Sequence, residues 1–385
     1  MDEIYLDNAA TTKPISEVVK KMEKVLKVNY ANPSSLHKLG INAEKLVKEA
    51  RLQISNELKT EKEEIIFTGS GTIANNIGIK GAAYRLKKFG NHIITTEIEH
   101  KSVLEIFKHL EKNGFEVDYI PVNKKGIINL DILQEKLNEN TILVSTMAVN
   151  NEIGSIQPIK KISEIVNKYD NLYFHVDGVQ ALGKINLNIK ELGIDLYTIS
   201  AHKVHGPKGV GALYINKDIF IDKLLHGSGQ EKGFYPGTEN TPGIAGFGEA
   251  IKHLPNIENI KKMKKLKYFL SQKIRDEIHN VIINTPTEEK SAPHILNVSF
   301  ANIKGEVLVH SLESENIYIS TGSACTSRKD KTSHIINALG LPDNYREGTV
   351  RFSLSQFNTK KEMEVTIKTL KQQVERLRKI MGGNR

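Results

Sequence analysis

Between residues 64 and 215, short apolar runs alternate with longer amphipathic stretches. The runs are EIIFTG (64–69), HIITTE (92–97), FEVDYI (115–120), TILVSTMAV (141–149), LYFHVD (172–177), DLYTIS (195–200) and GVGALYI (209–215). Each is rich in β-branched or aromatic residues and reads as a strand. The intervening segments, such as Ser102–Lys112 and Ile159–Tyr169, are long enough for crossover helices, and a helix running to about Lys88 follows the first strand. This alternation predicts an α/β fold with a mostly parallel seven-stranded sheet buried between helices. Ligands of such sheets sit beyond the carboxyl ends of the strands.

From about Lys261 the rhythm changes. A long polar helix leads to strand HILNVSF (294–300), a helix from Glu306 and strand IYIS (317–320). A helix near 332–339, strand TVRFSL (349–354) and a terminal helix from Thr359 complete a smaller α+β unit. Two units suit 385 residues, more than one compact core ordinarily holds.

Composition narrows the class. Hydrophobic residues are 39 % and charged residues 26 % of the chain, as in ordinary globular proteins. No apolar run approaches the roughly 20 residues a bilayer needs, and MDEIYLDNAATTKP lacks the pattern of a signal peptide, so no membrane association and a cytoplasmic location are expected. The single cysteine rules out an intrachain disulfide and a cysteine-based metal centre within one chain, and suits a reducing compartment. The net charge of +9 includes the run KKMKKLK (261–267). With no RNA-binding motif beside it, that run reads as a solvated helix face and direct nucleic-acid binding is not expected.

The chemistry-bearing residues fall where the strands end. Gly69-Ser70-Gly71-Thr72 opens a helix and suits either a phosphate site or a plain strand–helix turn. Asp177 closes LYFHVD with Gln180 three residues on; it serves as a helix cap or as a buried counter-charge. Lys203 sits between the end of DLYTIS and the glycines of GPKGVG, where partial desolvation makes a lysine nucleophilic. His100 and Asn150-Asn151-Glu152 lie just past two further strands. Four strands thus deliver polar residues to one edge, a more specific signal than any single residue. Cys325 lies among small residues in STGSACTS (320–327), followed by Arg328, Lys329 and Lys331; a thiol beside cations is the reactive kind. Arg351, inside TVRFSL, suits a bidentate carboxylate clamp.

Together these segments resemble the cysteine desulfurases, pyridoxal-phosphate (PLP) enzymes of fold type I in the class V aminotransferase superfamily. The resemblance runs through YLDNAATTKP (5–14), NPSSLH (32–37), EHKSVL (99–104), VNNEIG (149–154), HVDGVQALGK (175–184), SAHKVHGPKGVGALY (200–214), GSGQEKGFYPGTEN (227–240), STGSACTS and TVRFSLS (349–355). It implies a PLP-binding domain over 16–260 and a small domain of 1–15 with 261–385. It implies that Lys203 carries PLP covalently, Asp177 pairs with the ring nitrogen, Gln180 meets the ring oxygen and His100 stacks on the ring. Gly71, Thr72, Ser200 and His202 would hold the phosphate, and Thr238 would reach the partner subunit's phosphate in a homodimer. Asn151 and Arg351 would bind the carboxylate of L-cysteine, with Asn151 also near the cofactor. Cys325 would take the sulfur as a persulfide and pass it to acceptor proteins of iron–sulfur assembly or of tRNA or cofactor thiolation. No metal is implied.

Three departures from the family pattern stand out: Ile73 replaces a usual Glu, KGFY (232–235) lacks a usual Arg, and the segment after Cys325 is unusually basic. The first two are expected to bear on the dimer edge or the substrate entrance, the third on acceptor choice. A selenocysteine lyase on the same scaffold has nearly the same residues. A class V aminotransferase has no need of STGSACTS, and a non-catalytic relic has no need to retain Lys203, Asp177, His100, Cys325 and Arg351 together.

Overall fold

In a computed structural model, residues 3–321 and 333–382 are described. Strand β1 (Ile4–Tyr5) opens the chain, and the seven foreseen strands follow: β2 (Ile65–Thr68), β3 (His92–Thr96), β4 (Glu116–Ile120), β5 (Thr141–Met147), β6 (Tyr173–Asp177), β7 (Leu196–Ser200) and β8 (Gly211–Ile215). They form one sheet in the order β2-β8-β7-β6-β5-β3-β4. Only β8 runs against the rest.

Period-two alternation shows which way each strand faces. On β2, Ile65 and Phe67 pack into the core on one side of the sheet and Ile66 into the core on the other; on β8, Ala212 and Tyr214 divide from Leu213 and Ile215 in the same way. Both faces of the sheet are therefore buried, as the near-continuous apolar runs require.

The expected long helix after β2 is interrupted. Helix Gly71–Asn75 passes into a π-helical turn, Asn76–Lys80, and resumes as Gly81–Leu86. A π-turn widens the helix by one residue and commonly marks a functional site; this one begins just after Asn75, whose side chain reaches the sheet edge.

The last third of the chain builds a second core. Strands β9 (Val281–Ile283), β10 (Ile295–Phe300), β11 (Ile317–Tyr318) and β12 (Thr349–Ser353) pack with the long helices Ile257–Glu277 and Lys360–Gly382. β10 lies antiparallel between β9 and β12, with Asn297 opposite Arg351. β9 has no counterpart in the sequence reading, and β11 is shorter than IYIS, because Ser320 only bridges to Arg351. The N-terminus joins this core: β1 pairs in parallel with β11, Ile4 opposite Ile317, and Asp7 bridges to Ser353. Among the described residues no helix is long and apolar enough to cross a membrane.

Candidate active site

A cavity of about 290 Å³ opens at the carboxyl ends of β3, β5, β6 and β7. Ten of the twelve residues singled out from the sequence line it: Gly71, Thr72, His100, Asn151, Asp177, Gln180, Ser200, His202, Lys203 and Arg351. Thr238 is exposed and does not line it, and Cys325 lies outside the described residues, as does the basic segment after it.

Lys203 ends a 3-10 turn, Ala201–Lys203, directly after β7. Its Nζ donates to the carbonyl oxygens of Ala9 (2.6 Å) and Ala10 (2.7 Å). The N-terminal segment is held against this turn by Thr12, which donates from its amide and its hydroxyl to the His202 carbonyl, both at 2.9 Å, and accepts from the His205 amide at 2.7 Å. Burial, then the charge of Lys203, pushes His202 down to about 4, which favours its neutral ring.

Asp177 is buried at the end of β6. Its Oδ1 accepts from the Val179 amide and its Oδ2 from Asn75 Nδ2, each at 3.0 Å. Gly178 is required here: a Cβ would collide with the Tyr197 ring. Asn75 also donates to Ser102 Oγ (3.0 Å), which contacts His100 Nδ1 at 2.8 Å. A hydrogen-bonded chain thus joins Asp177 to His100. His100 caps helix Lys101–Lys112, its Nδ1 accepting from the Ser102 amide at 3.1 Å. That bond places the lone pair on Nδ1 and leaves the proton of the neutral ring on Nε2. Burial lowers the His100 pKa; Asp177 opposes this and Lys203 reinforces it.

Gln180 is engaged on both sides, donating to the Ala9 carbonyl (2.8 Å) and accepting from His294 Nε2 (3.1 Å). Its remaining N–H is the group available to a ligand.

Arg351 is 2 % exposed. Its Nη2 donates to Asp7 Oδ1 at 2.7 Å and its Nη1 to the Asn151 carbonyl at 2.8 Å, while Nε has no partner among the described residues. Asn151 Oδ1 and Glu152 Oε2 also lack partners. Buried polar atoms without partners cost about 1–3 kcal/mol each, and here Asn151, Glu152 and Arg351 all line the same cavity. These residues fit PLP with an amino acid beside it. A buried carboxylate and a lysine share one cavity with Gly71, whose missing side chain lets Val179 and Ser200 come close, and with the polar residues Asn151, Glu152 and Arg351.

Several participants were not legible in the sequence. Asp7 and Asn75 act by orienting Arg351 and Asp177, and their partners are distant in the chain. Ser333 and His334 line the cavity from the start of helix His334–Ala338, with His334 Nε2 donating to the Glu99 carbonyl at 3.0 Å; Ser333 as a helix cap just past the cysteine segment was the available signal. The departures at Ile73 and in KGFY meet in space. A Cβ on Gly69 would lie 2.7 Å from Tyr235 Oη and 3.1 Å from Ile73 Cδ1, so both side chains pack on the turn that precedes Gly71, and neither lines the cavity.

The family model for Aminotransferase class-V matches residues 4–365. A cysteine desulfurase IscS of Dictyoglomus turgidum is 43 % identical over 380 residues, covering 98 % of this chain and 96 % of the relative. Among solved structures, a NifS-like protein is 38 % identical with a TM-score of 0.91, covering 97 % of this chain and all of its own. SspA in complex with cysteine is 33 % identical with a TM-score of 0.81, covering 92 % of this chain and all of its own. The lysine, carboxylate and arginine gathered at one sheet edge, with this degree of likeness over the whole length, place the chain in the class V aminotransferase family as a PLP-dependent cysteine desulfurase.

Proposed function

We propose that the cavity binds L-cysteine with its carboxylate on Arg351 and Asn151, and that its sulfur leaves on Cys325. The observation carrying this reading is the buried Arg351, which lines the same cavity as Lys203. When bound, PLP supplies an electron sink for charge developing at the substrate Cα. Asp177 would set its carboxylate, and Gln180 a hydrogen bond, against the cofactor ring. Gly71, Thr72, Ser200 and His202 would hold the phosphate. His100 would stand over the ring and move a proton at Nε2. The Lys203 amine takes the Cα proton and delivers one back to the substrate. The Cys325 thiolate attacks the substrate sulfur; the C–S bond breaks with its electron pair staying on carbon, which then takes a proton. The balance is cysteine plus thiol giving alanine plus persulfide.

Replacing Arg351 by Lys keeps the charge and loses the planar fork. Charge-assisted hydrogen bonds contribute about 1.5–3 kcal/mol, so the KM for cysteine, read from alanine release, is expected to rise about tenfold or more with the bound-cofactor spectrum unchanged. An unaltered KM removes Arg351 from the substrate site.

The second part of the reading is a homodimer with shared sites, in which Thr238 reaches the partner's phosphate. Two features support it. Thr238 is exposed on a loop pinned by Glu231, which accepts from Arg51 at 2.6 and 2.9 Å and from the Phe67 amide at 2.8 Å. Exposed apolar side chains cluster within one stretch: Val28, Tyr30, Leu36 (95 % exposed), Leu39 and Ile41. Light scattering is expected to give twice the chain mass, and Thr238→Ala to weaken PLP retention. A monomer that retains PLP overturns this.

The division into a PLP-binding unit (16–260) and a small unit (1–15 with 261–385) is part of the same proposal, supported by the separate core around β10 and β12. So are a cytoplasmic location, suited to a single reduced thiol, and transfer of the sulfur to iron–sulfur scaffold or thiolation proteins, supported by the IscS-type relatives.

A further inference from the structure

Lys184 has no role in the chemistry above. Its Nζ donates to the carbonyl oxygen of Lys203 at 3.0 Å, and the two lysines share a small cavity with Asn8, Thr12 and His205. The residue keeps some solvent contact, but its ammonium lies deep in the protein. Burial, then the charge of Lys203, brings it down to about 7, and no carboxylate among the described residues offsets either effect. An unpaired cation in such surroundings is costly. A neutral donor such as Gln would bind a carbonyl without that cost, so an ionisable group bonded to the turn that carries Lys203 requires a reason.

We propose that Lys184 is a positioning residue that acts through Lys203: held behind the turn that carries Lys203, its ammonium, where protonated, disfavours a proton on the Lys203 nitrogen. A neighbouring cation is one of the established ways to make a lysine nucleophilic. The coupling is mutual, so removing the Lys184 charge raises the pH at which the Lys203 nitrogen loses its proton. Other groups face Lys203. Asp177 and His100 line the same cavity, His202 shares its turn, Lys208 follows on the next loop, and His205, His294 and Arg351 lie within electrostatic range of these lysines. Burial holds all four histidines below the usual imidazole value of about 6.5, His202 at about 4. Lys101, Glu152 and His334 line the cavity too, but Lys184 is the one of these neighbours bonded to the backbone of Lys203 itself.

This rests on Lys203 being the lysine that carries the cofactor, so borohydride reduction and peptide mapping of each holoenzyme come first; label on another lysine fails that assignment and not the coupling. The visible absorbance of the holoenzyme is then titrated against pH for the native protein, K184M, K184Q and K184R. K184M and K184Q are expected to raise the midpoint by about one unit, a tenfold change in proton affinity, with the acid limb of kcat/KM moving the same way. K184R is expected to hold the midpoint within a few tenths. K184Q retains a donor for the Lys203 carbonyl and carries the test if K184M does not fold. A native midpoint in the neutral variants, or an equal shift in K184R, overturns the proposal.

Discussion

Lys203→Ala is expected to abolish cysteine turnover and the covalent attachment of the cofactor. Two losses combine. The amine that fixes the cofactor disappears, and so does the base that handles the Cα proton, itself a contribution of about 10²–10⁴-fold. The result discriminates because other lysines are close: Lys101 lines the same cavity, and Lys184 is hydrogen-bonded to the backbone of Lys203. Position separates them. Lys203 follows β7 directly and its Nζ is held by the carbonyls of Ala9 and Ala10, the first of which also accepts from Gln180. Borohydride reduction of the native protein should mark Lys203 in a peptide map, and the variant should carry no mark. A mark on Lys101 or Lys184 in the native protein would remove Lys203 from its role.

Cys325→Ala should have an effect of similar size at a different step. Alanine release from cysteine should fall to background while cofactor binding is retained, because the residues assigned to the cofactor, from Gly71 to Lys203, are all present without the thiol. Nucleophilic attack on sulfur replaces expulsion of a poor leaving group by thiol exchange. The chain has no second cysteine, so no other thiol within it can substitute. The variant should bind cysteine and show an altered cofactor spectrum without turnover. Full alanine release by the variant, with no thiol added, would show that the sulfur does not leave by this route.

The sheet was legible because its strands are buried on both faces and read as continuous apolar runs. Its polar edge was legible because Asp177, Ser200 and His100 each end or follow such a run. Less legible was whatever depends on distant partners. Nothing near Asp7 in the chain announces that it holds Arg351, 344 residues away. Val281–Ile283 is too short to stand out as a strand and exists because β10 offers it an edge. The π-turn after Asn75 breaks an uninterrupted helical pattern; local propensity carries no trace of it, and it coincides with the bond from Asn75 to Asp177. Lys184 appears in sequence as one lysine among many. Only its depth and its bond to the Lys203 carbonyl set it apart.

The pairing of β1 with β11, and of the Asp7–Ala9 segment with Ser353, also bears on the order of events during synthesis. The Ala9 amide is held by Ser353 Oγ at 2.8 Å and the Asn8 side chain by the Ser353 carbonyl at 2.9 Å. The strands of the large sheet lie within residues 65–215, and that sheet can assemble as soon as those residues emerge. The first residues of the chain cannot take their places until almost the last have been made, because loop closure over more than 300 residues joins them. The carbonyls of Ala9 and Ala10, which hold Lys203, belong to that late-joining segment. A nascent chain with a finished sheet therefore still lacks the two carbonyls that hold Lys203 Nζ, and this side of the cavity is completed only when the first residues reach Ser353.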